Sequence, residues 1–164
     1  MAVALTAVEG AVRALAAALR ARGWRLATAE SCTGGLVAAA CTSLAGSSDW
    51  FERGFVTYSN EAKSELLGVA PALLAAHGAV SEAVAQAMAR GALAHSRAQL
   101  ALAVTGIAGP AGAVPGKPVG TVWLAWATSA GVRAERLQLR GDRAAVREAA
   151  LAAALARLLE AARA

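Results

Sequence analysis

The chain predicts a three-layer α/β/α sandwich on a mixed β-sheet, in a single domain covering residues 1–164. Three observations lead there. Helix-periodic segments precede, separate and follow short apolar or β-branched runs. Residues 100–105 are almost continuously apolar, as in a strand buried on both faces. Residues 120–128 and 132–139 are separated only by Ser129-Ala130-Gly131, which predicts an antiparallel hairpin.

Leu5, Val8, Val12, Leu15 and Leu19 recur at helical spacing, and Gly23 stands where a helix end needs a left-handed residue. Residues 24–29 read as a short strand, and Gly34-Gly35 opens an uncharged helical pattern running to Leu44. Ser31 is thereby placed at a strand-to-helix junction. Gly46-Ser47-Ser48-Asp49 is a turn, residues 51–58 form the next strand, and Ser59 or Asn60 caps a short helix reaching Leu67. Pro71 begins a small helix ending at His77, and Ser81 caps a longer one that ends near Ser96. The strand at 100–105 breaks into a Gly-rich loop, 106–112, whose small residues let backbone approach a ligand. After the hairpin, Asp142 caps a final helix with Val146, Ala150, Leu151, Leu155 and Leu158 along one side.

With 164 residues the chain can bury roughly two-thirds of its unfolded surface around one core. Its excess of Ala, Leu, Val and Arg reads as a coding preference laid over an ordinary globular pattern. The net charge of +5 and pI near 10.2 would suit a polyanion, but the Arg residues are scattered with few aromatics between them. That favours a small anionic ligand and ranks nucleic-acid binding last. The uncharged stretches 31–48 and 99–116 are interrupted by Gly, Ser, Thr and Pro and predict no membrane span. Residues 3–19 read as an amphipathic helix carrying Glu9 and Arg13, not a leader, so a cytoplasmic protein is expected. Cys32, Cys41, His77 and His95 lack zinc-like spacing, and neither a disulfide nor a metal site is expected. The Ala-rich helices and Trp50, read as exposed, suit a symmetric dimer.

The only Tyr, the only Asn and one of two Lys share the hexapeptide 58–63, Tyr-Ser-Asn-Glu-Ala-Lys. Arg supplies nearly all the other positive charge, so an amine is singled out at Lys63. An amine can be driven to lose its proton by burial, whereas a guanidinium cannot. Helical spacing puts Lys63 with Leu67 on the apolar side, where it can serve a nearby hydroxyl as base. Ser31 offers that hydroxyl just ahead of a helix, where unpaired N–H groups of residues 32–35 can hold an oxyanion and Gly34-Gly35 keep side chains out of the way. Tyr58 could bond to the same amine or hydroxyl and pass a proton. Each feature also has a plain alternative: Ser31 or Thr33 as a helix cap, Lys63 extending its stem over apolar surface, Tyr58 filling a sheet edge. Cys32 as nucleophile lacks a partner base, and a Ser-His-Asp set would need His77 or His95, both of which read as helix-end residues. For an anion there are three candidates: Gly46-Ser47-Ser48, the loop from Thr105 through Gly106 and Gly109 to Gly112, and Gly141-Asp142-Arg143 at the last helix's start.

Taken together, Ala29-Glu30-Ser31-Cys32-Thr33-Gly34-Gly35, Gly46-Ser47-Ser48, the run from Phe51 through Tyr58 and Asn60 to Lys63, Gly78-Ala79-Val80-Ser81, Val104-Thr105-Gly106-Ile107-Ala108-Gly109-Pro110 and Lys117-Pro118-Val119-Gly120 resemble the CinA C-terminal domain family. The resemblance covers nearly the whole chain. It implies an α/β/α fold and hydrolysis of nicotinamide mononucleotide to nicotinate mononucleotide and ammonia, without metal or cofactor. It places the family's nucleophile on Ser31 and its partners on Tyr58 and Lys63. The residues expected to meet the substrate are Glu30, Cys32, Thr33, Gly34, Gly35, Gly46, Ser47, Ser48, Asn60, Thr105, Gly106, Gly109 and Arg143, with the phosphate on Ser47 and Ser48, on the Thr105-Gly106 turn or on Arg143. Ala111, Ala113 and Pro115 stand where the family often has Gly and acidic residues. Some relatives carry a larger molybdopterin-binding-like domain ahead of this one; a chain starting at Met1 fits the stand-alone form. A nucleotide-binding or regulatory module without turnover is the alternative.

Overall fold

The computed structural model describes residues 2–164; Met1, the first residue of the predicted domain, lies outside them. The elements run α1 (Ala2–Ala7), α2 (Glu9–Arg22), β1 (Leu26–Glu30), α3 (Leu36–Thr42), β2 (Phe51–Val56), α4 (Asn60–Leu67), α5 (Pro71–His77), α6 (Glu82–Ala94), β3 (Leu100–Gly106), β4 (Thr121–Thr128), β5 (Gly131–Gln138) and α7 (Arg143–Arg163). The sheet order is β2-β1-β3-β4-β5. β1 is parallel to β2 and β3, and the β4–β5 hairpin continues the sheet antiparallel. The expected mixed sheet is therefore present.

Local chemistry sets the boundaries. The first helical pattern is divided at Val8 into α1 and α2, and Gly23 ends α2 at φ 63°. Ser59 caps α4, Ser81 caps α6 and Asp142 caps α7, each side-chain oxygen accepting from the amide three residues on. The third helix begins at Leu36, later than the glycine pair suggests. Gly34 and Gly35 stand at φ 58° and 98°, outside the right-handed helical region, and form a turn instead.

Side-chain alternation along the strands divides the core by size. Leu26, Leu100, Leu102, Val104, Val122 and Leu124 face α2, α3 and α7, whereas Ala27, Ala29, Ala101, Ala103, Ala125 and Ala127 face α6. A carpet of alanines lets α6 lie close on the sheet, so part of the alanine bias is structural and not a coding preference. Trp50 is fully buried in the larger-residue layer, edge-on to Phe51. That corrects its reading as an exposed residue, and it offers nothing to a dimer interface. Among the described residues no helix is long and apolar enough to cross a membrane.

The α4–α6 contact positions the amine of Lys63. A Cβ at Gly91 of α6 would stand 2.0 Å from the Leu67 carbonyl oxygen, so only glycine lets α4 sit where it does. Gly91→Ala is expected to cost about 2–3 kcal/mol of stability and lower Tm by roughly 5–10 °C. Calorimetric melting of the variant checks this; an unchanged Tm would mean α4 is not seated on this glycine.

Candidate active site

The carboxyl ends of parallel β1, β2 and β3 share one edge of the sheet. With order 2-1-3 the chain leaves β1 in one direction and returns past it in the other, and α/β sheets form their ligand crevices at such points. A cavity of about 260 Å³ lies there, lined by Ser31, Cys32, Tyr58, Lys63, Thr105, Gly106, Gly109 and Arg143 among others.

Ser31 follows β1 directly and its amide donates to the Val104 carbonyl at 2.9 Å, so the end of β3 fixes the start of the turn. Lys63 lies in the first turn of α4, held by the Ser59 cap, and is 1% exposed. Its Nζ is 3.1 Å from Ser31 Oγ, 2.7 Å from the Thr57 carbonyl and 3.2 Å from that of Tyr58. Carbonyl acceptors suit a charged amine, but among the described residues no carboxylate pairs with this one and burial dominates, lowering its pKa below the ordinary lysine value. A third carbonyl, that of Ser59, stands farther off at 3.5 Å, and in the neutral form two N–H bonds can serve the two nearer ones. The lone pair then faces the serine hydroxyl, the arrangement a general base requires.

The turn after Ser31 also orients a donor. Gly34 donates to the Ser31 carbonyl at 3.0 Å, turning that oxygen into the turn. Across a trans peptide the N–H opposes the C=O, so the Cys32 amide faces outward and has no carbonyl acceptor among the described residues. The Cys32 thiol itself is pushed up to about 11 by burial and stays protonated near neutral pH, which removes it as a rival nucleophile.

Several expected placements are corrected. Glu30 does not face the cleft: its buried carboxylate accepts from the Val37 and Ala38 amides at 2.8 and 3.0 Å. The first N–H groups of α3 are thus already satisfied and cannot serve an oxyanion. Gly34 and Gly35 shape the turn and do not line the cavity, and Thr33 is buried with its carbonyl accepting from Arg147. Asn60 is exposed on the far side of α4, in a groove with Glu61 and Pro71. Gly46, Ser47 and Ser48 enter β2, whose first residue, Phe51, pairs with Leu26 at the start of β1. They therefore lie at the opposite end of the sheet from Ser31, about 15 Å away along a five-residue strand.

The phenol of Tyr58 hydrogen-bonds to neither Lys63 nor Ser31. It accepts from Arg143 Nη2 at 3.0 Å, while Arg143 Nη1 donates to the Gly109 carbonyl at 2.9 Å. It is the Tyr58 backbone that meets the amine. Thr105, Gly106 and Gly109 lie in the cleft as expected, with Thr105 Oγ1 donating to the Ala79 carbonyl at 2.9 Å. Ala79, Val80, Ile107, Ala108, Ala111 and Gly112 complete the wall. Four of these belong to the loop 106–112, expected from its small residues to approach a ligand, whereas Ala79 and Val80 carried no chemical signal beyond their place in a motif.

A family model described as the CinA C-terminal domain matches residues 8–162. The chain belongs to the CinA C-terminal domain family. It is 58% identical over 139 residues to nicotinamide-nucleotide amidohydrolase PncC of Escherichia coli K12, covering 84% of each protein. It is 56% identical over 137 residues to a CinA-like protein of Syntrophobacter fumaroxidans, but spans only 32% of that longer chain. Among solved structures, competence damage-inducible protein A (ComA) of Klebsiella pneumoniae superposes with a TM-score of 0.91 at 46% identity, over 93% of this chain and 95% of that one. The five-stranded sheet described above is thus that of a CinA superfamily protein.

Proposed function

We propose that this amidohydrolase acts on nicotinamide mononucleotide, releasing nicotinate mononucleotide and ammonia through a Ser31–Lys63 pair. The observation that carries the reading is a fully buried amine 3.1 Å from a hydroxyl at the mouth of a cleft. The relatives of nearly equal length named for amide hydrolysis of nicotinamide nucleotides support the substrate.

Ser31 Oγ attacks the carboxamide carbon as its proton passes to Lys63 Nζ, and the carbonyl oxygen gains charge against the Cys32 amide. Collapse expels ammonia, which takes the proton back from Lys63 and leaves an ester on Ser31. Water, deprotonated by the same amine, cleaves that ester to give the acid and restore the serine. Tyr58 has a positioning role here: its hydroxyl holds Arg143 over the cleft, in place of the proton relay expected from the sequence. Arg143, exposed and with two donors engaged only by neutral oxygens, meets the substrate phosphate by exchanging those partners for it.

Ammonia release and mass spectrometry of the product, with purified protein and nicotinamide mononucleotide, test the reaction. Calorimetric binding without ammonia formation would instead identify a binding module. Arg143→Ala is expected to raise KM about 10–100-fold, with kcat within about 3-fold, as loss of one or two charged hydrogen bonds would do. An unchanged KM would move the phosphate elsewhere.

A further inference from the structure

We infer that Glu30 and Arg147 are positioning residues that clamp the 31–35 turn from its two sides and so set the geometry of the nucleophile, an inference that rests on the reading of Ser31 as nucleophile. The turn has little of its own to hold it. It contains two adjacent glycines at positive φ and is closed by two bonds, Gly34 amide to Ser31 carbonyl and Leu36 amide to Thr33 carbonyl, each 3.0 Å. Glycines there leave many conformations open unless something outside the turn chooses one.

Two side chains outside the cleft make that choice. Glu30, 1% exposed, reaches over the turn from the residue before it to the helix after it, bonding Val37 and Ala38 with its two oxygens. The turn is stapled at both ends by one carboxylate. From the other side Arg147 Nη2 donates to the Thr33 carbonyl at 3.1 Å, tying the middle of the turn to α7. With the 33–34 peptide oriented by that bond, the Gly34 amide is directed at the Ser31 carbonyl, and the Cys32 amide is left facing out. Arg147 stands one helical turn beyond Arg143, so α7 holds both the nucleophile turn and the group proposed for the phosphate. Neither Glu30 nor Arg147 borders the cavity, so each acts through the turn.

A reagent that needs no knowledge of the substrate reads this geometry. A small alkyl fluorophosphonate reacts with an activated serine: the Ser31 Oγ–phosphorus bond forms, the phosphorus–fluorine bond breaks, fluoride leaves and the hydroxyl proton passes to Lys63. In Glu30→Gln one oxygen becomes an NH₂ that opposes an amide N–H, and in Arg147→Ala the Thr33 carbonyl loses its tie to α7 and keeps only the Leu36 amide as donor. Both variants are expected to label at least about 10-fold, and up to about 100-fold, more slowly than wild type, as a displaced reacting group would. The kcat for nicotinamide mononucleotide should fall in step while KM stays within about 3-fold. Methylguanidinium at tens of millimolar should restore Arg147→Ala labelling several-fold by refilling the site beside Thr33, a rescue that lost stability alone would not give. Wild-type labelling rates in both variants overturn the clamp, and Arg147→Ala decides the matter even if Glu30→Gln does not fold. If wild type labels at Ser31 but hydrolyses no mononucleotide, the substrate reading fails while the labelling rates still judge the clamp. A wild type inert in both assays overturns both.

Discussion

Lys63→Arg is expected to lower kcat about 10³-fold or more while leaving affinity for the mononucleotide close to that of wild type. The substitution keeps the positive charge and similar reach but cannot supply a lone pair near neutral pH. If Lys63 acted only as a structural cation held by the Thr57 and Tyr58 carbonyls, Arg would serve nearly as well. Steady-state ammonia release, with circular dichroism to verify folding, separates the two. The same lowered pKa fixes the pH dependence. The rate rises with pH as Lys63 deprotonates and levels off above its folded-state pKa, at pH values where an ordinary lysine would still be charged. Stability moves in the same direction. The unfolded chain binds this proton more tightly, so stability grows with pH between the lowered folded pKa and the ordinary value of about 10.4.

Ser31→Ala removes the nucleophile itself, and turnover should fall by about 10⁴-fold or more. Because Ser31 and Lys63 act on one proton, their losses are not additive. The double variant Ser31→Ala with Lys63→Arg should be no slower than Ser31→Ala alone, within about 3-fold. Single-turnover kinetics check this, and fully additive losses would mean the two side chains work separately.

The fold was legible because its signals are local. The near-continuous apolar run of residues 100–105, the Ser129-Ala130-Gly131 turn and the Ser59, Ser81 and Asp142 caps each determine an element without help from distant parts of the chain. The Ser31–Lys63 juxtaposition was legible for a related reason: the oddity of one amine in an Arg-rich chain, and its helical phase, are both sequence properties. What could not be read depends on long-range register. Whether a turn lies at the carboxyl or the amino edge of the sheet follows from strand direction, which is why Gly46, Ser47 and Ser48 fall at the wrong end. Whether Glu30 points into the cleft or back onto α3 depends on the helix beginning at Leu36. Arg147 carries no motif signal because its partner is a backbone carbonyl 114 residues away.

The central claim is that Lys63 is a buried base and not a fixed cation. The chain contains only two lysines, Lys63 and Lys117, so selective ¹³Cε-lysine labelling gives two resonances, and the one missing from Lys63→Arg is assigned at once. Following that resonance by NMR through a pH titration, we expect its midpoint below the ordinary lysine value of about 10.4. A midpoint at or above that value would show a lysine that stays charged, and would contradict the Ser31–Lys63 mechanism.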